Sequence, residues 1–233
     1  MSESPVITID GPSGVGKGTV CQYLAKKTGW HLLDSGAIYR VLAFAAITGE
    51  IPLDDENKLS ELARGLNVTF QQSANTDKID IYLENNEISN QIRAEECGNA
   101  ASQLARYSLV RQALLGRQRE FSRAPGLIAD GRDMGSVVFP AAQVKIFLTA
   151  SPEERLNRRY KQLKEQGFSV NLARLSADIA ERDNRDQLRE ESPLKPAMDA
   201  VVIDTTTLRI EQVINQIWEI VESKIPELNA NKA

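Results

Sequence analysis

Residues 6–19 have the sequence VITIDGPSGVGKGT, in which an apolar run meets a glycine-rich loop. The run Val6–Asp10 is short, apolar and partly β-branched, which is typical of a buried strand. Glycines let backbone N–H groups approach phosphate oxygens closely, and a helix that begins near Gly16 would direct its dipole at the same anion. Lys17 adds a cation for the β- and γ-phosphates. This order of strand, loop and helix predicts a P-loop.

The loop departs from the usual pattern at one position. Gly18 stands where Ser or Thr commonly follows the lysine, and Thr19 comes one residue later. We therefore expect no side chain to bind Mg²⁺ directly. The predicted nucleotide-phosphate contacts are Gly11, Pro12, Ser13, Gly14, Val15, Gly16, Lys17, Gly18 and Thr19.

Further short apolar runs alternate with helical patterns along the chain. Strands are predicted at 31–34, 127–130, 144–148 and 200–204. Strands that alternate with helices favour an α/β fold with a parallel sheet and helices on both faces. Residues 66–90 differ, because apolar and polar residues alternate there and turn signals occur at Asn75–Asp77. This segment predicts a small antiparallel β insertion.

Composition excludes several classes of protein. The chain has 233 residues, a net charge of -4, one His and two Cys. A disulfide scaffold and a two-histidine metal site are therefore excluded, and a pI near 5.3 argues against non-specific nucleic-acid binding. The apolar stretch Val41–Ile47 is far shorter than the roughly 18 residues of a membrane span. With no signal-peptide pattern at the start, we expect a soluble cytoplasmic protein that contacts neither membrane nor nucleic acid.

Arginine outnumbers lysine 17 to 11, and it is clustered. Arg155, Arg158 and Arg159 share one helix face by their spacing, and the same is true of Arg182, Arg185, Asp186 and Arg189. Such faces suit planar recognition of phosphate. The alternative is a solvated face neutralised by neighbouring acids, and spacing alone leaves both interpretations open.

A P-loop alone allows a GTPase switch, an ATPase or a small-molecule kinase. The Asn-Lys-x-Asp motif of guanine recognition is absent from the sequence. Asp130, the last residue of the predicted strand 127–130, could serve an ATPase as its metal-site acid. The recurring arginines favour a kinase with a second phosphate-bearing substrate. A kinase for another acceptor, such as UMP or shikimate, and a regulatory ATPase remain alternatives.

Five segments together resemble one family. They are the loop 11–19, LDSGAIYR at 33–40, NAAS at 99–102, DGRDMG at 130–135 and ERDNRD at 181–186. Taken in this order over nearly the whole chain, they resemble bacterial cytidylate kinase, a P-loop nucleoside monophosphate kinase. The resemblance implies γ-phosphoryl transfer from ATP, with Mg²⁺ held mainly by ATP and water, to CMP or dCMP. The segment 66–90 is similar to the insertion that marks the bacterial enzymes.

The resemblance also implies roles for individual residues. It implies CMP contacts by Ser35, Arg40, Ser102, Arg111, Arg132, Asp133, Arg182, Asp186 and Arg189. Lys17, Arg155 and Arg159 are the predicted catalytic cations. The expected organisation is a single P-loop kinase domain with a core at about 1–35 and 124–233, an acceptor region at about 36–123 and a helical lid at about 153–168. We expect a monomer.

One local prediction follows from helix geometry. Ser102 and Arg111 are nine residues apart, which places them on opposite faces of an unbroken helix. Both could contact one cytosine only if the helix is interrupted. We therefore predict a break near Tyr107–Ser108, with Ser108 as the N-cap of the second helix.

Overall fold

The computed structural model describes residues 4–72 and 79–230. The chain forms two compact units, of which one comprises the residues up to Asp34 and from Gln118 onwards, and the other is Ser35–Arg117. The strands are β1 (Val6–Asp10), β2 (His31–Asp34), β3 (Val68–Gln72), β4 (Ile79–Leu83), β5 (Asn86–Glu87), β6 (Leu127–Gly131), β7 (Val144–Thr149) and β8 (Val201–Asp204). The helices are α1 (Lys17–Thr28), α2 (Ser35–Thr48), α3 (Glu56–Gly65), α4 (Glu95–Leu104), α5 (Ser108–Arg119), α6 (Pro152–Glu165), α7 (Leu172–Gln187), α8 (Ile210–Lys224) and α9 (Glu227–Ala230).

The first unit is built on a five-stranded sheet in the order β2-β6-β1-β7-β8, with every neighbouring pair parallel. β1 is central, and all five of its residues are buried. Val20 and Leu24 of α1 share an apolar core with Ile217 and Val221 of α8 and with the strands. The sheet is flanked by helices, so the predicted α/β class is confirmed. Parallel strands bring their carboxyl ends to one edge, where the P-loop begins.

Helices α6 and α7 carry a small apolar cluster of their own. Leu163 of α6 and Leu175 and Ile179 of α7 are buried together, with Tyr160 packed against them. The start of α6 matches the prediction, because Ser151 Oγ accepts a hydrogen bond from the N–H of Glu154 and Pro152 takes the first helical position.

The second unit is helical with a small sheet. α2 packs against α3 and α4, and its residues Ile38, Val41 and Leu42 are fully buried. β3, β4 and β5 form an antiparallel sheet, which confirms the insertion predicted for 66–90. The predicted turn Asn75–Asp77 lies outside the described residues.

The helix interruption predicted near Tyr107–Ser108 is confirmed, since α4 ends at Leu104 and α5 begins at Ser108. Its cap differs from the prediction. The carbonyl of Tyr107 accepts the first helical hydrogen bond, from the N–H of Arg111, and Glu56 of α3 accepts from the N–H of Leu109 at 2.8 Å. Ser108 is thus the first helical residue, because a carboxylate from another helix takes the capping role.

None of the helices in the described ranges, 4–72 and 79–230, is both long enough and apolar enough to cross a membrane.

Candidate active site

The loop between β1 and α1 has a backbone that only glycine tolerates at two positions. Gly11 has φ +146, and a Cβ there would lie 2.2 Å from the carbonyl oxygen of Leu148. Gly14 has φ +83, and its Cβ would lie 2.9 Å from the carbonyl oxygen of Arg155. Within the described part of the chain, no side chain caps α1 at Gly16. The first N–H groups of α1 therefore face the loop, as an anion site requires.

Lys17 begins α1 and is 7% exposed. Its Nζ donates a hydrogen bond to the carbonyl oxygen of Pro12 at 2.8 Å, which closes the loop on itself. Burial lowers the pKa of Lys17 to about 8, and the nearby positive charge of Arg132 acts in the same direction. The two cations therefore lie close enough to repel each other, and both would be relieved by an anion placed between them.

Two aspartates at the carboxyl ends of β1 and β6 adjoin the loop. Burial raises the pKa of Asp10 to about 6, although hydrogen bonds from the N–H groups of Gly135 and Met134 oppose the rise. Burial also raises the pKa of Asp130 to about 7, against the opposing charge of Lys17. Asp130 Oδ2 would lie 3.8 Å from a Cβ on Gly18, so this carboxylate faces the start of α1.

The turn after β6 carries two predicted substrate residues. Asp133 is 4% exposed, and its carbonyl oxygen accepts from the N–H groups of Val137 and Val138 in a single π-helical turn. Arg132 lies just before it, with a side chain that is 22% exposed. The turn places these two residues at the edge of the sheet where the P-loop begins.

Four predicted residues form a charged cluster, which we call the Asp186 cluster (Arg132, Arg182, Asp186 and Arg189). Arg132 Nε lies 3.0 Å from Asp186 Oδ2, and Arg189 Nη2 binds Asp186 Oδ1. Burial alone would raise the pKa of Asp186, but the charges of Arg132 and Arg189 hold it below its ordinary value. Arg182 adds a third positive charge to the surroundings of Asp186 and is itself 7% exposed.

The arginines of α6 bind the P-loop backbone. Arg155 pairs with Asp183 at 2.6 Å, and its guanidinium donates to the carbonyl oxygens of Ala150 and Ser13. Arg158 donates to the carbonyl oxygen of Val15 at 3.4 Å. These bonds join α6 to the loop at two of its carbonyls.

Arg158 also binds residues outside the P-loop, and Arg159 binds a side chain of its own helix. Arg158 Nη2 donates to the carbonyl oxygen of Thr205 at 2.6 Å, and its Nε pairs with Glu154 at 2.7 Å. Arg159 is half-buried, and its Nη1 donates to Gln162 Oε1 at 2.7 Å. The bond from Arg159 to Gln162 joins two residues of α6.

Four predicted residues belong to the unit Ser35–Arg117. Ser35 and Arg40 lie on α2, Ser102 on α4 and Arg111 on α5. Ser35, Ser102 and Arg111 are buried, and Arg111 Nη1 donates to the carbonyl oxygen of Ala105 at 3.5 Å. The sulfur of Cys97 donates to the carbonyl oxygen of Arg40, which fixes the backbone of α2 at that position.

The sequence alone predicted no site role for Asp10, Asp183 or Thr205. Asp183 pairs with Arg155, Thr205 donates to the carbonyl oxygen of Val15, and Asp10 accepts from the turn that directly follows Asp133. Asp183 lies within the segment ERDNRD, so its partner Arg155 is a contact that the motif itself could have suggested. Asp10 directly precedes the first glycine of the loop, a position from which its side chain could have been expected near the phosphate site. Thr205 carries no comparable signal.

Comparison with known proteins gives a consistent result. A family model described as cytidylate kinase matches residues 7–223. A protein of Shewanella frigidimarina named cytidylate kinase is 59% identical over 226 residues, which cover 97% of this chain and 99% of that protein. A protein of Aeromonas hydrophila with the same name is 56% identical over 228 residues, which cover 98% of each chain.

Proposed function

The chain belongs to the cytidylate kinase family, and we propose that it transfers the γ-phosphoryl group of ATP to CMP or dCMP by in-line displacement without a general base. One observation carries the proposal for this structure. The P-loop with Lys17 and the turn with Arg132 follow the carboxyl ends of the neighbouring parallel strands β1 and β6. A donor-phosphate cation and an acceptor-phosphate cation thus belong to the same edge of the sheet, as transfer between two phosphates requires.

The nucleophile in this proposal is an oxygen of the CMP phosphate. The second pKa of a phosphate monoester is about 6, so that oxygen is already ionised at neutral pH. No side chain needs to remove a proton, which is consistent with a chain that has a single histidine. Catalysis then consists of alignment and charge neutralisation.

We propose that Lys17 neutralises the transferring group together with Arg159 and Arg155 of a lid at about 153–168. Lys17 leaves Pro12 to do so, which exchanges one hydrogen bond for a charge-assisted one. Arg159 would release Gln162 to do so. Arg155 would release Asp183 and the carbonyls of Ala150 and Ser13.

The residues beside the loop fit a magnesium ion that arrives with ATP. Asp130 is a carboxylate directed at Gly18, and the exposed Thr19 adds a hydroxyl on the first turn of α1. Carboxylate and hydroxyl oxygens, reached through water, suit Mg²⁺. When bound, the ion would neutralise charge on the β- and γ-phosphate oxygens.

The acceptor roles are proposed residue by residue. Arg132 and Arg189 would bind the CMP phosphate, since the Asp186 cluster already directs them, and Arg40 would join them. Asp133 would accept from the cytosine amino group, with Ser102 and Arg111 as donors to its acceptors. Asp186 and Arg182 would bind the ribose hydroxyls. Ser35 is a further proposed CMP contact.

The organisation of the chain is also part of the proposal. We infer an acceptor-binding region at about 36–123 and a core formed by the remainder. The cysteines Cys21 and Cys97 are buried free thiols, which is consistent with the cytoplasm as the place of action. A monomer stays the expected oligomeric state.

The test measures ADP release with CMP, dCMP and UMP as separate acceptors. We expect turnover that depends on CMP or dCMP and is slower with UMP. In Asp133→Ala the preference for CMP over UMP should fall about tenfold or more, because uracil presents a carbonyl where cytosine presents its amino group and the repelling carboxylate is gone.

Glu219→Ala is the matched control, since it removes an exposed carboxylate on α8. It should keep the wild-type ratio of CMP to UMP turnover. ATP turnover independent of any acceptor would favour an ATPase and refute the proposed function. An unchanged ratio in Asp133→Ala would refute the role of Asp133 alone.

A further inference from the structure

Asp10 is the last residue of β1 and directly precedes the P-loop. Its side chain is buried, and each of its oxygens accepts one backbone hydrogen bond. Oδ1 accepts from the N–H of Met134 and Oδ2 accepts from the N–H of Gly135, both at 2.8 Å. Both donors belong to the turn that starts directly after Asp133.

The buried carboxylate of Asp10 satisfies two backbone donors that have no other partner within their own turn. The two N–H groups stand at the start of a helical turn, where the backbone itself offers them no partner. An apolar residue at position 10 would leave both unsatisfied, and a neutral amide would satisfy one at most. Two hydrogen bonds to one charged group are stronger than two neutral ones.

The turn also packs so closely on β1 that a shift towards the strand would create steric clashes. β1 and β6 run in parallel register, with Asp10 opposite Gly131. A Cβ on Gly135 would lie 2.8 Å from Thr8 Oγ1, and one on Gly131 would lie 2.6 Å from Met134 Cγ. The turn therefore packs directly on β1 at Thr8 and is tethered to it at Asp10.

We propose that Asp10 is a positioning residue that holds the turn carrying Arg132 and Asp133 in its acceptor-binding conformation. This inference rests on the proposed function, in which Arg132 binds the CMP phosphate and Asp133 contacts cytosine. Gly11, the next residue, has no room to shift against Leu148, so the entry to the donor loop is fixed by its backbone and not by the Asp10 carboxylate. The carboxylate therefore holds the acceptor turn against a strand end that is already fixed.

The test compares Asp10→Asn with Ile9→Val. In Asp10→Asn the amide NH₂ must face one of the two N–H donors, so the turn loses one tether. We expect the KM for CMP to rise about tenfold, since one hydrogen bond to a charged group is lost. The preference for CMP over UMP should fall with it, while the KM for ATP changes less than about twofold. Ile9→Val removes one buried methyl group from the same strand but keeps the carboxylate.

Hydrogen exchange of the full-length protein gives a readout that does not depend on activity. The amides of Met134 and Gly135 should exchange faster in Asp10→Asn and at the wild-type rate, relative to neighbouring amides, in Ile9→Val. A merely structural role would lower the melting temperature of both variants and leave the KM for CMP unchanged in both.

Three outcomes would overturn the inference. They are an unchanged KM for CMP in Asp10→Asn, an equal rise in the KM for ATP, and unchanged exchange of the amides of Met134 and Gly135. If Asp10→Asn does not fold, Asp10→Glu keeps the charge but lengthens the side chain, and the same split between CMP and ATP is expected. A wild-type protein without CMP-dependent turnover would refute the proposed function instead, and hydrogen exchange would still test the tether.

Discussion

The Asp186 cluster and the P-loop hold their charges in different ways, although both belong to the same structural unit. In the Asp186 cluster the charges pair directly, since both oxygens of Asp186 bind arginines. At the P-loop the charged groups bind the backbone instead. Lys17 donates to the carbonyl of Pro12, and Asp10 accepts from two N–H groups.

The pKa values of the charged groups also differ between the Asp186 cluster and the P-loop. The pKa of Asp186 lies below its ordinary value because two arginines outweigh its burial. At the P-loop burial dominates, so the pKa of Lys17 falls to about 8 and that of Asp130 rises to about 7. The charge of Asp186 is therefore compensated before substrate arrives, while three arginines to one carboxylate leave the cluster with a net positive charge. Lys17 carries an electrostatic cost of burial that the phosphates of ATP would reduce, and this relief contributes to the binding free energy of ATP.

The largest expected effect is that of Lys17→Met. Loss of the cation should lower kcat at least about 100-fold, with little change in the KM for CMP, because the charge acts on the transferring group. The same variant should raise the unfolding free energy of the ligand-free protein by about 1 kcal/mol at pH 7, since a poorly solvated charge is replaced by an apolar chain. Steady-state kinetics and urea unfolding measure the two effects.

The control is Lys26→Met, which removes an exposed lysine from the last turn of the same helix. Its kcat should stay at the wild-type value. If Lys17→Met is destabilised instead, the P-loop is held by its charges in the same way as the Asp186 cluster, and the comparison fails.

The second effect is that of Asp186→Asn. It leaves the side chains of Arg132 and Arg189, which are 22% and 5% exposed, without their counter-charge. Removing one partner of a buried ion pair costs about 3 kcal/mol of unfolding free energy. Millimolar inorganic phosphate should restore more stability to this variant than to the wild type, because the anion replaces the missing carboxylate.

Glu181→Gln serves as the matched control for Asp186→Asn, since Glu181 pairs with Arg185 on the same helix but is 67% exposed. Its unfolding free energy should change by less than about 1 kcal/mol. Equal stabilisation of wild type and Asp186→Asn by phosphate would show that the arginines do not form an anion site.

The Asp186 cluster and the P-loop also differ in how much of each could be predicted from the sequence. Spacing predicted one helix face for Arg182, Asp186 and Arg189, because helical periodicity is a local property. Arg182 and Asp186 do lie on α7, whereas Arg189 follows the end of the helix at Gln187 and still binds Asp186. The β1, P-loop and α1 order was likewise visible in one continuous segment. Arg132 lies 54 residues from Asp186, so their pairing depends on how β6 and α7 pack, which no local pattern encodes.

Tertiary partners account for the other differences. Glu56 replaces Ser108 as the cap of α5 because a helix distant in sequence supplies a better acceptor. Arg158 binds the carbonyls of Val15 and Thr205, contacts that spacing along α6 cannot reveal. Sequence therefore predicted which residue types gather on a helix face, and three-dimensional packing determined whether each one pairs with another charge or with the backbone.

The smallest expected effect is a pH dependence of the unfolding free energy, which arises from the buried charges near the P-loop. With a pKa near 7 in the folded protein and about 4 when unfolded, Asp130 binds its proton more tightly in the folded state between these values. The unfolding free energy of the ligand-free protein should therefore fall as pH rises through this window, by about 1 kcal/mol between pH 6 and 7. Lys17 acts with the opposite sign above pH 8, where stability should recover.

Urea unfolding of the ligand-free protein at intervals from pH 5 to 9 measures this profile. Asp130→Asn should reduce the fall between pH 6 and 7 to about 0.4 kcal/mol, the part that Asp10 contributes, because a carboxylate with a pKa of about 6 is half titrated at pH 6. Ile128→Val, a buried change in the same strand, should lower stability at every pH and keep the slope. A slope of unchanged size in Asp130→Asn would assign the proton to another group and remove Asp130 from the buried charges that make the P-loop sensitive to pH.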